Sequence, residues 1–270
     1  MITPGSVAFY RTFGFLALHQ AFDSEEVAEI SRRFDARMDR DRDGQPFTGT
    51  ERHAISQMVE QDPYLTRIAE DDRIYGTVEK LLGEGFCWLC SEGNMYVGDT
   101  HWHPDGGSNP DFAFMKVSMY LDPLTQDNGC LRVIPGSHRP PLFNELRNLA
   151  NRHGAQDAER TGTGIDIPGT EVPCVPLETQ PGDVFFLNMN MWHAAFGGIP
   201  GRRHLVFDFS PKPTNADETA ILKQHHAKAV KLFERWQVRR PGRLFTDTFL
   251  NSASPRIQSM VAKWKEFGCE

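Results

Sequence analysis

Two histidines and one aspartate in this chain have the residue types and spacing that could hold a metal ion. His103 and Asp105 form a His-x-Asp pair, and His193 follows much later in the sequence. Two imidazoles and one carboxylate on one face of an ion leave the other face open, as in the facial triad of non-haem Fe(II) oxygenases. The residues therefore predict an iron site with free coordination positions.

The third ligand must come from outside the His-x-Asp pair, and His193 is the favoured candidate. It follows Pro181-Gly-Asp183 and the apolar run Val184–Leu187, which reads as a strand, and a rigid strand is a good platform for a ligand. His138 lies in a Pro-Gly-Ser-His turn, where it can instead bind a backbone group. The other candidates are His153 and His204.

His101 lies on the same predicted strand face as His103 and Asp105, because residues i and i+2 of a strand point the same way. It could replace His103 as a ligand, contact a substrate, or be a solvated strand residue. Trp192, next to His193, is a second candidate for substrate contact by position alone.

An arginine soon after His193 suits an organic acid co-substrate such as 2-oxoglutarate, since a planar guanidinium matches a carboxylate. Arg202 and Arg203 are adjacent, so only one can face the interior of a barrel. Arg202 shares its strand face with His204, Val206 and Asp208, a polar set that suits a pocket. Arg203 shares the other face with the bulky apolar residues Leu205, Phe207 and Phe209. The pattern predicts Arg202, with Arg203 as the alternative.

The composition excludes several classes of protein. The chain has 270 residues and a net charge of −7, and a nucleic-acid surface would need a basic stripe instead. Five cysteines form no regular framework, which favours a reducing, cytoplasmic setting. Cys87 and Cys90 form a CxxC on an apolar strand, which predicts buried structural cysteines facing opposite ways. No signal peptide or membrane span is expected.

The elements that would position these residues belong to one domain, 1–270, that is mainly β with flanking helices. Residues 86–211 alternate short apolar runs with Gly, Pro and Asn turns, which predicts a jelly roll. The predicted strands are Phe86–Leu89, Met95–Val97, Ala113–Leu121, Cys130–Ile134, Val172–Val175, Val184–Leu187 and Leu205–Phe209.

Supporting elements are predicted on both sides of this core. Residues 1–85 are predicted to form a strand at Gly14–Phe22, a helix from Asp23 to Asp43 and a second helix from about Asp62 to Gly83. Residues 212–270 hold two amphipathic helices, about 215–238 and 254–267. Residues 139–171 are expected to form a long excursion over the mouth of the barrel.

Several motifs resemble the phytanoyl-CoA dioxygenase-like Fe(II)/2-oxoglutarate oxygenases over about residues 86–211. They are His103-Pro-Asp105, Leu121-Asp-Pro-Leu124, Asn128-Gly-Cys-Leu-Arg-Val-Ile-Pro-Gly-Ser-His138, Pro181-Gly-Asp183, His193 and Arg202-Arg-His-Leu205. The resemblance implies a cupin-like double-stranded β-helix, iron held by His103, Asp105 and His193, and 2-oxoglutarate anchored by Arg202. It also implies O2 as the second co-substrate.

The sequence departs from this family after the distal histidine. Family members often carry His-Gly-Ser, whose hydroxyl helps to hold 2-oxoglutarate, but here the sequence is His193-Ala-Ala-Phe196. Either that contact is missing or another polar group replaces it. The candidates, each of which could also be a structural strand residue, are Asn94, Tyr96, Lys116 and Ser118.

The resemblance implies hydroxylation of an unactivated C–H bond of a small molecule, with release of succinate and CO2. Desaturation and ring formation are alternatives, and the carboxylate of Asp105 argues against halogenation, for which related enzymes carry a small residue. From the residues alone, a metal-binding module without activity and a zinc hydrolase are also possible, but neither uses Arg202. The substrate and the oligomeric state are not predicted.

Overall fold

The computed structural model of the chain describes residues 2–106, 109–150, 168–235 and 245–269. Its strands form two antiparallel sheets. In chain order they are β1 (Phe15–Leu18), β2 (His53–Ser56), β3 (Cys87–Tyr96), β4 (Thr100–His103), β5 (Met115–Tyr120), β6 (Leu131–Val133), β7 (Val175–Leu177), β8 (Val184–Asn188), β9 (His193–Ala195) and β10 (Arg202–Ser210).

Helices precede, interrupt and follow these strands. They are α1 (Pro4–Phe13), α2 (Ser24–Asp41), α3 (Pro63–Glu70), α4 (Tyr75–Leu82), α5 (Leu142–Glu145), α6 (Arg147–Ala150), α7 (Ala216–Arg235), α8 (Asp247–Leu250) and α9 (Pro255–Phe267). None of the described helices is both long and apolar enough to cross a membrane.

The sheet order is that of a jelly roll, as predicted. The larger sheet has the order β1-β8-β5-β10-β3-β2, and the smaller one has the order β4-β9-β6-β7. Strands distant in sequence are therefore neighbours, and β10 lies between β3 and β5. Because β10 is a central strand, the side chains on its inward face point into the interior of the barrel.

Three apolar clusters hold the layers together. The largest packs helices on the outer face of the larger sheet, where Trp88 contacts Phe207 and Trp264 donates its indole N–H to the Trp88 carbonyl at 2.6 Å. A second cluster fills the space between the sheets, with Tyr120, Leu131 and Phe185 among its members. The third covers the outer face of the smaller sheet.

The N-terminal support differs in detail from the predictions. Asp23 and Glu26 form the predicted capping box at the start of α2. The single helix predicted from Asp62 to Gly83 is wrong: it is two helices, α3 and α4, because the chain is extended at Asp71. The sequence reading also missed α1 and β2.

In the core, β3 is one continuous strand where two short strands were predicted. The strand predicted at Val172–Val175 is also wrong, since β7 begins at Val175. Within the predicted excursion 139–171, α5 and α6 are described, whereas residues 151–167 lie outside the described residues. Residues 236–238, the end of a predicted helix, lie outside them as well.

Candidate active site

His103, Asp105 and His193 meet at the end of the smaller sheet. β4 and β9 are antiparallel neighbours in a register that sets His103 opposite His193, and their ring centroids are 4.4 Å apart. Asp105 follows β4, with carboxylate oxygens 3.5 Å from His103 Nε2 and 3.4 Å from His193 Nε2. The ligand atoms of the three residues all lie within 4.8 Å of one another, and the described part of the chain contains no second such cluster.

Backbone hydrogen bonds orient both imidazoles toward the centre of this triad. His103 Nδ1 lies 2.7 Å from the His101 carbonyl, and His193 Nδ1 lies 2.9 Å from the Met191 carbonyl. Donation from Nδ1 leaves the lone pair on Nε2, which is the form that binds metals. Burial, with the charges of His103 and Lys116, lowers the pKa of His193 to about 4, so its ring is neutral at pH 7.

Asp105 is ionised in this setting. Burial alone would raise the pKa of Asp105, but the ammonium group of Lys116, together with the contacts of Asp105 with the two histidines, holds it well below its usual range. Lys116, on β5, forms a short hydrogen bond to Asp105 Oδ2. Two imidazoles and one carboxylate with an open side are a donor set that fits Fe(II).

Arg202 starts β10 and lies inside the barrel with only 3% of its surface exposed. Its Nη1 donates to the Gly129 carbonyl at 2.6 Å, and its Nη2 donates to the Gly98 carbonyl. Its Nε has no hydrogen-bond partner, and no described carboxylate forms an ion pair with it. A buried guanidinium that is held in place but lacks an anion is a site for a carboxylate.

Two glycines make room for this guanidinium. A Cβ atom on Gly129 would lie 2.2 Å from Arg202 Nη1, and one on Gly198 would lie 2.3 Å from Arg202 Nη2. Neither distance is possible between non-bonded atoms. The Asn-Gly and Gly-Gly turns of the sequence are therefore also walls of the arginine site.

A narrow pocket of about 60 Å³ connects Arg202 with the triad. Its wall includes three of the four predicted replacements for the missing serine, Tyr96, Lys116 and Ser118. The Ser118 hydroxyl is buried and has no hydrogen-bond partner among the described residues.

The fourth candidate, Asn94, does not line this pocket; its Oδ1 accepts from Arg52 Nε at 3.0 Å. The prediction that Asn94 contacts the co-substrate is therefore not supported by its position. The sequence reading missed Tyr120, whereas it placed His204 on the polar face with Arg202 as well as among the possible metal ligands. Both residues line the pocket, with rings stacked at 4.2 Å. The i, i+2 spacing from Ser118 was the signal that could have found Tyr120.

A second, larger cavity of about 450 Å³ lies on another side of His103 and Asp105. His101 is part of its wall. Its wall includes Asp208, which was predicted on the polar face with Arg202, and three charged residues that sequence reasoning did not single out, Arg52, Glu92 and Asp99.

Trp192 is remote from both spaces. It is 1% exposed, and its backbone N–H and its indole N–H donate to Ser137 Oγ at 2.9 Å and the Phe143 carbonyl at 3.2 Å. It belongs to the cluster on the outer face of the smaller sheet, because its neighbour His193 takes the inward direction. The predicted substrate contact at Trp192 therefore does not agree with its position.

The remaining candidates have structural surroundings. Arg203 pairs with Asp122 at 2.7 Å and with Asp35 at 2.9 Å, so it faces away from Arg202. His138 is buried beneath Gly14, and His153 lies outside the described residues.

Cys87 and Cys90 are free and buried, as expected. Their sulfurs have different neighbours, the Gly85 carbonyl and Asp208, respectively. The CxxC spacing on β3 therefore forms neither a disulfide nor a shared ligand pair.

A sequence model of the phytanoyl-CoA dioxygenase (PhyH) family matches residues 10–199, more than half of the chain. The chain belongs to this family. An ectoine dioxygenase from Sphingopyxis alaskensis is 26% identical over 223 residues, which cover 73% of this chain and 72% of that protein. The fold and enzyme class predicted from sequence, a jelly-roll Fe(II)/2-oxoglutarate dioxygenase that uses O2, are thereby confirmed.

Solved structures show the same fold. The α-ketoglutarate-dependent carbocyclase SnoK from nogalamycin biosynthesis is 19% identical with a TM-score of 0.60, over 78% of this chain and 84% of that one. HygX from Streptomyces hygroscopicus, solved with nickel and 2-oxoglutarate, is 20% identical with a TM-score of 0.57, over 78% and 88%. At these identities the likeness concerns the fold alone.

Proposed function

We propose that this chain hydroxylates an unactivated C–H bond of a small organic molecule, with conversion of 2-oxoglutarate to succinate and CO2. The observation that carries the proposal is the buried, anion-free guanidinium of Arg202, which shares one pocket with the His103, Asp105 and His193 triad. A metal site alone fits many functions, whereas a metal site that shares a pocket with a buried guanidinium fits a keto-acid co-substrate.

In this proposal His103 Nε2, His193 Nε2 and one oxygen of Asp105 hold Fe(II). Bound iron supplies the activation of O2 and the oxidising power for the C–H bond, which no side chain can supply. The backbone bonds to the two Nδ1 atoms fix the ring orientations. Lys116 keeps the carboxylate of Asp105 ionised and oriented.

Arg202 binds the distal carboxylate of 2-oxoglutarate. Two of its five N–H groups hold backbone carbonyls, so Nε and the remaining Nη hydrogens are available for a two-point contact. Ser118, Tyr96 and Lys116 stand between Arg202 and the triad, and Ser118 replaces the hydroxyl that the sequence lacks after His193. The narrow pocket excludes bulk water from the keto acid.

The larger cavity holds the substrate next to the triad, with His101 in its wall. The carboxylate of Asp105 would fill a position on the iron that a halide would otherwise need, which favours transfer of oxygen over transfer of a halide. Desaturation and ring formation use the same residues and differ in the product, which loses two hydrogen atoms instead of gaining an oxygen atom.

The first experiment adds Fe(II) and 2-oxoglutarate to the metal-free protein without O2. The proposal expects a visible charge-transfer band that needs both additions and that is lost in His193→Ala. A zinc hydrolase or an inactive metal-binding module would give no such band, and its absence would overturn the proposal.

The second experiment follows succinate release in air with a panel of small molecules, beginning with ectoine because of the ectoine dioxygenase relative. Mass spectrometry of the product then separates hydroxylation from desaturation or ring formation. A product that gains no oxygen would overturn the hydroxylation while leaving the co-substrate assignment intact.

A further inference from the structure

The larger cavity contains a second buried ionisable group that forms no ion pair with a described residue, the carboxyl group of Asp208. Asp208 is 7% exposed and lies on β10 in the same inward row as Arg202, His204 and Val206. Its Oδ2 lies 3.6 Å from the thiol of Cys90, whereas its Oδ1 is buried and has no hydrogen-bond partner among the described residues.

The nearby cations are already engaged with other groups. Lys116 is directly opposite Asp208 in the sheet register, but its ammonium group hydrogen-bonds Asp105. Arg52 donates to Asn94 Oδ1 and pairs with Glu92 at 3.7 Å. Neither cation forms an ion pair with Asp208, so the charge of Lys116 acts on it only from a distance.

The rest of the wall supplies no net positive charge to offset Asp208, because Glu92 and Asp99 balance Arg52 and Lys116. Apart from Asp105, the cavity is lined by three carboxylates, Glu92, Asp99 and Asp208, and by two cations, Arg52 and Lys116. A neutral hydroxyl group could satisfy one lone pair of Asp208 Oδ1 but would leave the charge in place. A cation satisfies the lone pair and the charge together.

The energetic state of Asp208 agrees with this geometry. Burial, reinforced by Glu92 and Asp105 and opposed by Lys116, raises the pKa of Asp208 to about 7. The site therefore holds a carboxylate at a cost that a bound cation would remove.

We infer that the substrate carries a protonated nitrogen and that the carboxylate of Asp208 binds it in the cavity beside the triad. This inference rests on the proposed function, because it assumes that the larger cavity is the substrate site. Asp208 is then a specificity-determining residue: it selects organic cations, and it fixes the position of the substrate carbon that faces the triad.

The test uses two ring molecules of the same size as probes, piperidinium and tetrahydropyran, which differ in the charge at the heteroatom. Their binding to the protein loaded with Fe(II) and 2-oxoglutarate is measured without O2 by ligand-observed NMR titration, at about pH 8, where Asp208 is ionised. A hydrogen bond to a charged, buried group predicts that piperidinium binds about tenfold more tightly. Asp208→Asn should abolish this preference, and Glu51→Gln, at an exposed position outside the cavity, should keep it.

Equal binding of the two rings to the unmodified protein would overturn the inference, as would a preference that survives in Asp208→Asn. Equal binding of the two rings is also the expected result if Lys116 turns from Asp105 to Asp208 when iron binds, because Asp208 would then already have a cation as its partner. The charge-transfer band of the Asp208→Asn variant confirms that its metal and co-substrate sites are intact. Failure of the proposed function is seen separately, because that band would then be missing from the unmodified protein.

Discussion

The inward face of β10 carries the guanidinium of Arg202 at one end and the carboxyl group of Asp208 at the other, and neither forms an ion pair with a described residue. The surroundings of the two groups differ. Arg202 is fixed by two backbone carbonyls in a pocket of about 60 Å³, between glycines that leave no spare room. Asp208 has one weak thiol contact and faces a cavity of about 450 Å³. A small invariant co-substrate suits the rigid end, and a substrate that differs between enzymes suits the roomy end.

The strand geometry explains how both ends serve one reaction. Six residues of strand separate Arg202 from Asp208 by about 20 Å. His103 and Asp105 belong to the walls of both spaces, so the triad lies between the two charges. We therefore expect changes at Arg202 to affect the binding of the keto acid and changes at Asp208 to affect the binding of the substrate.

The largest expected effect is that of Arg202→Ala. It leaves the 2-oxoglutarate carboxylate without its partner, which costs about 3–5 kcal/mol. The KM for 2-oxoglutarate should rise roughly 10²- to 10³-fold, measured by succinate release, while piperidinium binding is unchanged. Arg203→Gln is the control, because Arg203 pairs with Asp122 and Asp35. An unchanged KM in Arg202→Ala would remove the basis of the comparison.

At the other end, Asp208 should make stability depend on pH. Because burial raises its pKa in the folded protein to about 7, the folded state holds this proton more tightly than the unfolded state. The resulting stability is complete below the unfolded pKa and is lost as the pH rises through about 7. Between about pH 5 and 8, urea unfolding should show a loss on the order of 3 kcal/mol relative to Asp208→Asn. Parallel pH curves for the two proteins would contradict an isolated carboxylate at this position.

Gly198→Ala tests whether the pocket around Arg202 is rigid. The new methyl group would enter the space of the Arg202 guanidinium and of the Gly98 carbonyl that holds it. A displacement of this kind should raise the KM for 2-oxoglutarate by about tenfold or more, since misplacement by about 1 Å can cost 10²-fold. Gly5→Ala, where a Cβ atom has 3.5 Å to its nearest neighbour, should leave the KM unchanged. An unaffected KM in Gly198→Ala would show that the pocket tolerates movement.

The smallest effect is expected from Ser118→Ala. The buried, unpartnered hydroxyl is available to 2-oxoglutarate, and a net hydrogen bond is worth about 0.5–1.5 kcal/mol. The KM for 2-oxoglutarate should therefore rise roughly 2- to 10-fold, with the substrate KM unchanged. The neighbouring pocket residue Tyr120 provides a matched test as Tyr120→Phe. If Ser118→Ala binds the keto acid as tightly as the parent, another group replaces the missing serine.

Local spacing was enough to predict part of this site. His103 and Asp105 are two residues apart, so any strand directs them to one side, and the same rule separates Arg202 from Arg203. The prediction failed for Trp192, because a sequence next to a ligand does not say which cluster a side chain joins. The prediction for Asn94 did not agree with its position for a related reason. Its amide oxygen accepts from Arg52, which directly precedes β2, a strand that the sequence reading did not predict.

The larger cavity could not be predicted from the sequence, and the reason is physical. Asp208 shares its wall with Arg52 and Asp99, which come from three distant segments of the chain. The charge balance among them depends on which cation pairs with which carboxylate, and pairing is a property of the packed sheets. No periodicity records it.

The sequence by itself determined the jelly-roll class, the His-x-Asp pair and the inward phase of β10, because these follow from alternation along single strands. Only the tertiary structure decided that His103 stands opposite His193, that glycines close around Arg202, and that Asp208 Oδ1 has no hydrogen-bond partner among the described residues. Strand register and side-chain packing between remote segments depend on the energy of the whole assembly, so they emerge only when the sheets come together.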